Sequence, residues 1–151
     1  MRTTHTGTIL YQMSLPRDLV IRALTDDGSF RVLTARTTGL CREAVRRQDL
    51  KGPTARHFGD LLTGTVLVRE TMAPELRVQG IVRAKGGAYT LIGDSFPDGG
   101  TRGLVNTKPG AGEIVLGGDA MMQFMRTLPN GAIHRGVVRV PPSGKESPIS
   151  V

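Results

Sequence analysis

Residues 53–72 carry the longest periodic pattern of the chain, and the pattern predicts an α-helix. One stripe of side chains recurs every three or four residues: Phe58, Leu61, Leu62, Thr65, Val68 and Met72. This spacing is typical of a helix that buries one side. Pro53 suits the start of a helix, where its missing N–H costs little, and Pro74 prevents continuation beyond the end. We therefore expect a sheet to close on this helix.

Two glycines interrupt the predicted helix. Gly59 and Gly64 each weaken a helix by about 1 kcal/mol relative to alanine. We expect tertiary contacts to hold the helix in spite of them, with both glycines letting a neighbouring element approach closely. Leu67 lies off the main stripe, which indicates a second contact surface.

Short apolar runs between turn residues predict strands on both sides of the helix. Leu19–Leu24 and residues 30–35 flank the turn residues Asp26, Asp27 and Gly28, so they predict a hairpin. After the helix, the pattern predicts strands at residues 76–83, 89–92, 101–105, 113–116, 120–128 and 132–140.

A shorter helix is expected between the hairpin and the long helix, ending at about Gln48. Thr37 or Thr38 suits its N-terminal cap because a hydroxyl can accept a hydrogen bond from the first turn. Its inner face carries Leu40, Ala44 and Val45. Its outer side carries Arg42, Arg46 and Arg47. These arginines indicate either a solvated helix face or a phosphate contact.

Together the elements predict an α+β fold, a twisted, mainly antiparallel sheet with the long helix packed on one face. A chain of 151 residues fits a single domain with a sizeable core, which we expect to span residues 1–151. No apolar run approaches the roughly 20 residues of a membrane span, and the N-terminus has no apolar signal core. We therefore expect a cytoplasmic protein without a membrane partner.

Charge and single residues narrow the function classes. The net charge of +7 favours acidic partners or simply solubility, since basic residues are spread along the chain. One cysteine, Cys41, excludes an intrachain disulfide and a multi-cysteine zinc site, and we expect a packed, inert thiol. No cofactor is expected.

The residue types that most often act in catalysis, such as histidine and aspartate, form no recognisable catalytic or metal-binding arrangement in the sequence. His5, His57 and His134 lack metal-ligand spacing. Five aspartates are assigned to turns, where Asp is common: Asp26, Asp27, Asp94, Asp98 and Asp119. Nothing pairs them as acid and base, so an enzyme is the weakest hypothesis.

The methionine-rich strand near the C-terminus is the candidate site for binding other proteins. Its residues are Met121, Met122, Phe124 and Met125. Methionine side chains adapt to varied apolar partners. Strand alternation puts Met122 and Phe124 on one face and Met121 and Met125 on the other, and at least one of these faces is expected to be core.

The order of elements resembles the redox-regulated chaperones of the heat-shock protein 33 family. The resemblance runs from the hairpin of Asp18 to Leu33, through Leu61, Leu62 and Thr63 of the long helix, to the residues around Gly136. Its most specific match is Asp-Gly-Gly-Thr-Arg-Gly-Leu-Val-Asn at residues 98–106. In all it spans roughly residues 18–140.

This resemblance implies an ATP-independent holdase whose partners are unfolded client proteins under oxidative stress. In the family, a separate C-terminal domain binds zinc through four cysteines. The sequence ends before such a domain and lacks the acidic-Gly-Pro turn usual after Gly80. A fragment and a divergent relative without the zinc switch are both consistent with this, and neither has the family redox switch within this chain.

A basic module that binds nucleic acid or another polyanion is the alternative, and a homodimer is left open. The residues of the alternative are Arg42, Arg46, Arg47, Arg77 and Arg83. No aromatic stacking partners cluster with them, so we expect weak nucleic-acid binding. The two hypotheses differ in salt dependence, because phosphate binding weakens steeply with salt and apolar binding does not.

Overall fold

The computed structural model describes residues 17–114, 116 and 120–140. Their secondary structure, in chain order, is β1 (Leu19–Leu24), β2 (Arg31–Arg36), α1 (Thr38–Arg47), α2 (Gly52–Glu70), β3 (Arg77–Arg83), β4 (Tyr89–Ser95), β5 (Thr101–Thr107), β6 (Met121–Thr127) and β7 (Ile133–Arg139). A turn of 3-10 helix at Lys85–Gly87 joins β3 to β4, where the sequence indicates a hairpin turn.

The strands form two antiparallel sheets. β1 and β2 make a separate hairpin, and the other strands make a five-stranded sheet in the order β5-β4-β3-β6-β7. The helix α2 packs on one face of the larger sheet, while α1 lies beside the edge strand β5. The predicted α+β fold, with its antiparallel sheet and packed long helix, is confirmed.

A row of glycines lets α2 lie close to the sheet. Gly103, Gly93 and Gly80 stand directly opposite one another on β5, β4 and β3. A Cβ atom would lie 2.6 Å from the Thr65 hydroxyl at Gly80, 2.8 Å from it at Gly93, and 2.7 Å from the Phe58 ring at Gly103. Because real Cβ atoms are not found so close, only glycine fits under this part of the helix.

The core forms where α2 meets that row. The side chains of Phe58, Leu62 and Thr65 are completely buried. Thr65 keeps its hydroxyl satisfied by donating to the Leu61 carbonyl oxygen at 2.8 Å. On the sheet, Leu91 is completely buried as well. The predicted stripe therefore packs as expected, and α2 begins one residue earlier and ends two residues earlier than predicted.

The glycines of α2 itself contribute less than predicted. A Cβ at Gly59 would lie 3.6 Å from the Cys41 sulfur, so α1 does approach there. At Gly64 nothing lies within 4 Å, so the prediction of a close neighbour at Gly64 is wrong. The closest approach comes instead from glycines of the sheet, which the helical pattern alone does not reveal.

The strand predicted at residues 113–116 is wrong for its described residues. Glu113, Ile114 and Leu116 lie outside any strand. The Ile114 side chain is buried in the core, and its N–H donates to the Thr54 hydroxyl on α2 at 3.1 Å. The apolar residues here therefore fill the core from a loop.

The cap of α1 comes from a distant residue. Thr37 precedes the helix but its side chain makes no cap hydrogen bond. The N–H groups of Gly39 and Leu40 donate instead to the two oxygens of the Asp18 carboxylate, at 2.8 and 2.6 Å. The Thr37 hydroxyl shares a hydrogen bond of 2.7 Å with the hydroxyl of Thr63 on α2. Thr37 therefore stands at the N-cap position, as predicted, but the cap hydrogen bonds come from Asp18.

We expect Gly80→Ala and Gly64→Ala to change stability in opposite directions. The Cβ at position 80 forces the helix and the sheet apart and lowers the free energy of unfolding by about 1–3 kcal/mol. The Cβ at position 64 meets open space in a helix, where alanine raises the free energy by about 1 kcal/mol. Equilibrium urea unfolding measures both, and equal effects of the two substitutions would contradict the packing described.

Candidate protein-binding surfaces

The hairpin of β1 and β2 exposes an apolar stripe. The pairing of the two strands places Leu19, Ile21 and Val32 on one face, and these side chains are 38%, 56% and 54% exposed. The opposite face, with Val20 and Leu33, is half-buried on the side of α2. We call Leu19, Ile21 and Val32 the hairpin stripe. An apolar stripe on the outer face of a protein is typical of a protein-binding surface.

The tip of the hairpin exposes two further apolar side chains, with Leu24 on the inner face of the strand pair. Leu24 and Phe30 flank the turn and are 63% and 70% exposed. The Asp27 carboxylate fixes the turn by accepting from the Ser29 hydroxyl at 2.6 Å and the Thr25 hydroxyl at 2.5 Å. These hydrogen bonds lower the pKa of Asp27 to about 2. The turn is therefore held in shape by local bonds, as the sequence predicts for Asp27.

Ionic contacts anchor the inner face of the hairpin to the end of α2. Arg22 of β1 forms an ion pair with Glu70. Glu70 also accepts from the neighbouring Arg69 at 2.9 Å. The Arg69 guanidinium is almost completely buried and donates to the carbonyl oxygens of Pro74, at 3.1 Å, and Pro97, at 2.7 Å. The anchored inner face leaves the hairpin stripe directed outward.

The face of the large sheet away from α2 carries a second apolar row. It crosses all five strands through Leu104, Ile92, Ile81, Gln123 and Val137. Leu104 and Val137, at the two edges, are about half exposed. We call this set the far-face row. The middle of the row is less exposed than the hairpin stripe, since Ile81 is 5% exposed and Ile92 is half-buried, and Gln123 is polar.

The four predicted site residues divide between the two faces of β6. Met122 packs against the core on the face of α2, and the Phe124 ring lies beside Gly80 on that face. Met121 and Met125 project from the other face, beside the far-face row, and Met121 is exposed. The predicted alternation is confirmed, and one face of the strand is core. The four residues therefore do not form one continuous surface.

An ion cluster around a buried carboxylate lies at the end of this sheet, where the sequence predicts only a turn. Asp94 belongs to β4 and is 3% exposed, so its assignment to a turn is wrong. Arg77 donates to both of its oxygens, at 2.7 and 2.6 Å, and Arg102 lies 3.3 Å away. Both guanidinium groups stack on the Phe96 ring, 5.0 and 4.9 Å from its centre.

The cluster is structural in character. The hydrogen bonds from Arg77 to Asp94 raise the pKa of the Arg77 guanidinium. The Asp94 carboxylate of β4 thereby links β3 to β5 through Arg77 and Arg102. Strand alternation carried past Gly93 would have found it, because Asp94 then stands opposite Arg102.

The structure does not gather the five arginines of the alternative hypothesis into one patch. Arg46 and Arg47 both bind the Glu43 carboxylate, at 2.9 and 2.7 Å, and these bonds lower the pKa of Glu43 to about 2. Arg77 is bound to Asp94, and Arg83 stands at the other end of β3, roughly 20 Å away. Arg42 remains exposed on α1. The five arginines therefore do not form one patch, since three lie on α1 and two at opposite ends of β3.

Cys41 is half-buried between the two helices, as predicted. Its sulfur lies 3.5 Å from the Gly59 carbonyl oxygen and 3.7 Å from the Thr63 hydroxyl. His57 lies on α2 and His134 on β7. His5 and Asp119 lie outside the described residues.

The described residues do not fit a zinc site of the four-cysteine type. The chain has one cysteine, and the described part brings together no three His, Cys, Asp or Glu side chains in a metal-binding arrangement. Among the same residues, no helix is both long and apolar enough to cross a membrane.

Comparison with known proteins connects this fold to one family. A model of the Hsp33 protein family matches residues 18–146, which include every described strand and helix. A 33 kDa chaperonin of Thermus thermophilus is 27% identical over 132 residues, covering 79% of this chain and 38% of the relative. A 33 kDa chaperonin of Listeria welshimeri is 31% identical over 88 residues, covering 58% and 30%.

These relatives are much longer than the matched part, since the chain spans 38% and 30% of their lengths. The family match nevertheless covers most of the chain, from the aspartate that caps α1 to beyond β7. The chain belongs to the Hsp33 protein family.

Proposed function

We propose that this chain acts as an ATP-independent holdase that binds unfolding proteins through exposed apolar side chains. The observation that carries the proposal is the hairpin, where five large apolar side chains are exposed within residues 19–36: Leu19, Ile21, Leu24, Phe30 and Val32. Unfolding proteins expose apolar groups of the same kind. Contact between the two surfaces removes both from water, which is the main favourable term in protein association.

Family membership supports the same proposal. The relatives from Thermus thermophilus and Listeria welshimeri are both named 33 kDa chaperonin. The family match includes the hairpin that carries the exposed stripe and the helix α2 that holds its inner face. The exposed stripe on the anchored hairpin supports a chaperone role for this chain.

The energetics favour broad rather than sequence-specific binding. Burying one Leu, Ile, Val or Phe side chain contributes about 1.5–3 kcal/mol, so a few contacts on the hairpin stripe suffice for useful affinity. Apolar contacts have no directional requirement, so many client sequences fit. Met121 and Met125 on the far face offer a second, adaptable surface, while Met122 supports the core and Phe124 borders a groove beside β7.

Binding of nucleic acid or another polyanion has less support. Three of the five arginines of that alternative are already bound to carboxylates, which reduces their attraction for phosphate. Fluorescence anisotropy with oligonucleotides at low and physiological salt distinguishes the two functions. Tight oligonucleotide binding at physiological salt would favour the alternative, because nonspecific phosphate binding weakens steeply as salt rises.

We expect the chain to suppress aggregation of a thermally unfolding test protein without ATP. Ile21→Ser/Val32→Ser removes two side chains of the hairpin stripe and raises the amount of chain required by roughly three- to tenfold. Thr34→Ser/Arg31→Ser changes exposed polar residues of the same hairpin and leaves the amount unchanged. Light scattering at several ratios measures suppression, and circular dichroism verifies folding.

Two results would contradict this account. If the wild type fails at every ratio, with or without oxidant, the chain is not a holdase. If both double variants act like the wild type, clients bind elsewhere than the hairpin stripe.

We further expect activity to be indifferent to redox state. A single cysteine cannot form an intrachain disulfide, and the Cys41 thiol is half-buried between α1 and α2. Wild type and Cys41→Ser, each reduced and peroxide-treated, should suppress aggregation equally in all four samples. Activity that appears only after peroxide, and is lost in Cys41→Ser, would instead demonstrate a single-thiol switch.

A further inference from the structure

The edge strand β7 presents backbone groups for an additional strand. Backbone direction alternates along a strand, and the N–H of Val140 donates to Ala120 next to β6 at 2.9 Å. Ile133, Arg135, Val137 and Arg139 therefore direct their N–H and C=O groups away from β6. All seven residues of β7 are exposed. In the part of the chain that the structure describes, β7 pairs with β6 alone.

The opposite edge of the sheet is closed by a side chain. The Gln48 amide group accepts from the Val105 N–H at 2.8 Å and donates to the Gly103 carbonyl oxygen at 3.2 Å. These are two of the outward backbone groups of β5, so at this point the side chain occupies the place of a neighbouring strand. Edge strands are commonly protected in some such way. The described residues provide no equivalent cover for β7.

The side chains of β7 give this edge a chemical preference. On the far face, Arg135 and Arg139 flank Val137. On the face of α2, a Cβ at Gly136 would meet nothing within 4 Å. A cavity of about 390 Å³ adjoins this position and is bordered by apolar side chains such as Val68, Met72 and Phe124 and by the basic residues Arg126 and His134.

We propose that β7 binds an extended acidic peptide segment as a sixth strand of the sheet. The segment carries an acidic residue opposite Arg139, two apolar residues opposite Val138 and Val137, a large apolar residue opposite Gly136 and a second acidic residue opposite Arg135. The acidic groups meet Arg139 and Arg135, and the large apolar side chain enters the cavity over Gly136. Main-chain hydrogen bonds supply affinity, and side-chain contacts supply selectivity.

The proposal rests on the proposed holdase function, because it names a class of client segment and how it binds. It also separates a client from a second copy of the chain. Antiparallel pairing of two β7 strands centred on Val137 would place Arg135 opposite Arg139 at both ends. Like charges directly opposite each other destabilise strand pairing. In this register, the charges of β7 favour an acidic peptide over a second copy.

The test uses two labelled peptides, Ser-Glu-Val-Val-Phe-Glu-Ser and the same peptide with lysine in place of both glutamates. Fluorescence anisotropy with the full chain should show about tenfold tighter binding of the acidic peptide. Arg135→Glu/Arg139→Glu should reverse that preference, which also shows that the variant is folded. Arg42→Glu/Arg56→Glu, with two exposed helix arginines changed, should keep the wild-type preference.

A third variant tests the backbone contact. Val137→Pro removes an outward N–H without removing a bond to β6, so it should weaken binding of the acidic peptide severalfold. Equal binding of both peptides, no reversal by the charge swap, or unchanged binding by Val137→Pro would overturn the proposal. So would a dimer in sedimentation that Val137→Pro abolishes, because β7 would then bind a second copy.

The aggregation assay separates this proposal from the holdase function. Suppression of aggregation without any peptide preference would overturn strand addition and leave the holdase function standing. Peptide preference without suppression would support strand addition while contradicting the holdase function.

Discussion

The close seat of α2 on the glycine row is the contact on which the rest of the structure depends. Three neighbouring strands each place a glycine under the helix, so Phe58, Leu61 and Thr65 lie almost against the sheet backbone. The helix in turn holds the hairpin through Glu70 and α1 through Thr63. Movement of α2 away from the sheet would therefore loosen both attached elements.

The same row explains which surfaces stay exposed. On β6 the row continues with Phe124 in place of a glycine, so α2 covers β3, β4 and β5 and stops there. On β7 it ends at Gly136, whose Cβ position meets open space. The cavity beside Gly136 therefore results from one large residue, Phe124, in the row. The hairpin stripe stays exposed for a different reason, since only the inner face of the hairpin reaches α2.

Local patterns predict those elements in which the sequence of apolar and polar residues shows which positions are buried. The strand Leu19–Leu24 begins and ends as predicted, because it is an apolar run followed closely by an Asp-Gly turn. The apolar stripe predicts both ends of α2 to within two residues. The sequence pattern ends β4 at residue 92 because Gly93, Asp94 and Ser95 are residue types typical of turns. In the structure the strand continues through them to Ser95. The sequence therefore predicts a turn at Asp94.

Features that depend on tertiary register were beyond local patterns. The glycine row becomes visible only when β3, β4 and β5 are aligned with one another, and Asp18 caps a helix about twenty residues away. Residues 113–116 have the composition of a strand, yet Ile114 is buried from a loop. Strand alternation places the methionines and Phe124 on the correct faces, and their role in client binding stays a prediction.

A double-mutant cycle between Gly93 and Thr65 tests the central contact most directly. The Thr65 hydroxyl is the atom that a Cβ at position 93 would meet, at 2.8 Å, whereas its next neighbours lie at 3.5 Å. Gly93→Ala alone should lower the free energy of unfolding by about 1–3 kcal/mol. In a Thr65→Ala background that loss should shrink by about 1 kcal/mol or more. Additive losses would contradict the claim that the glycine row seats the helix.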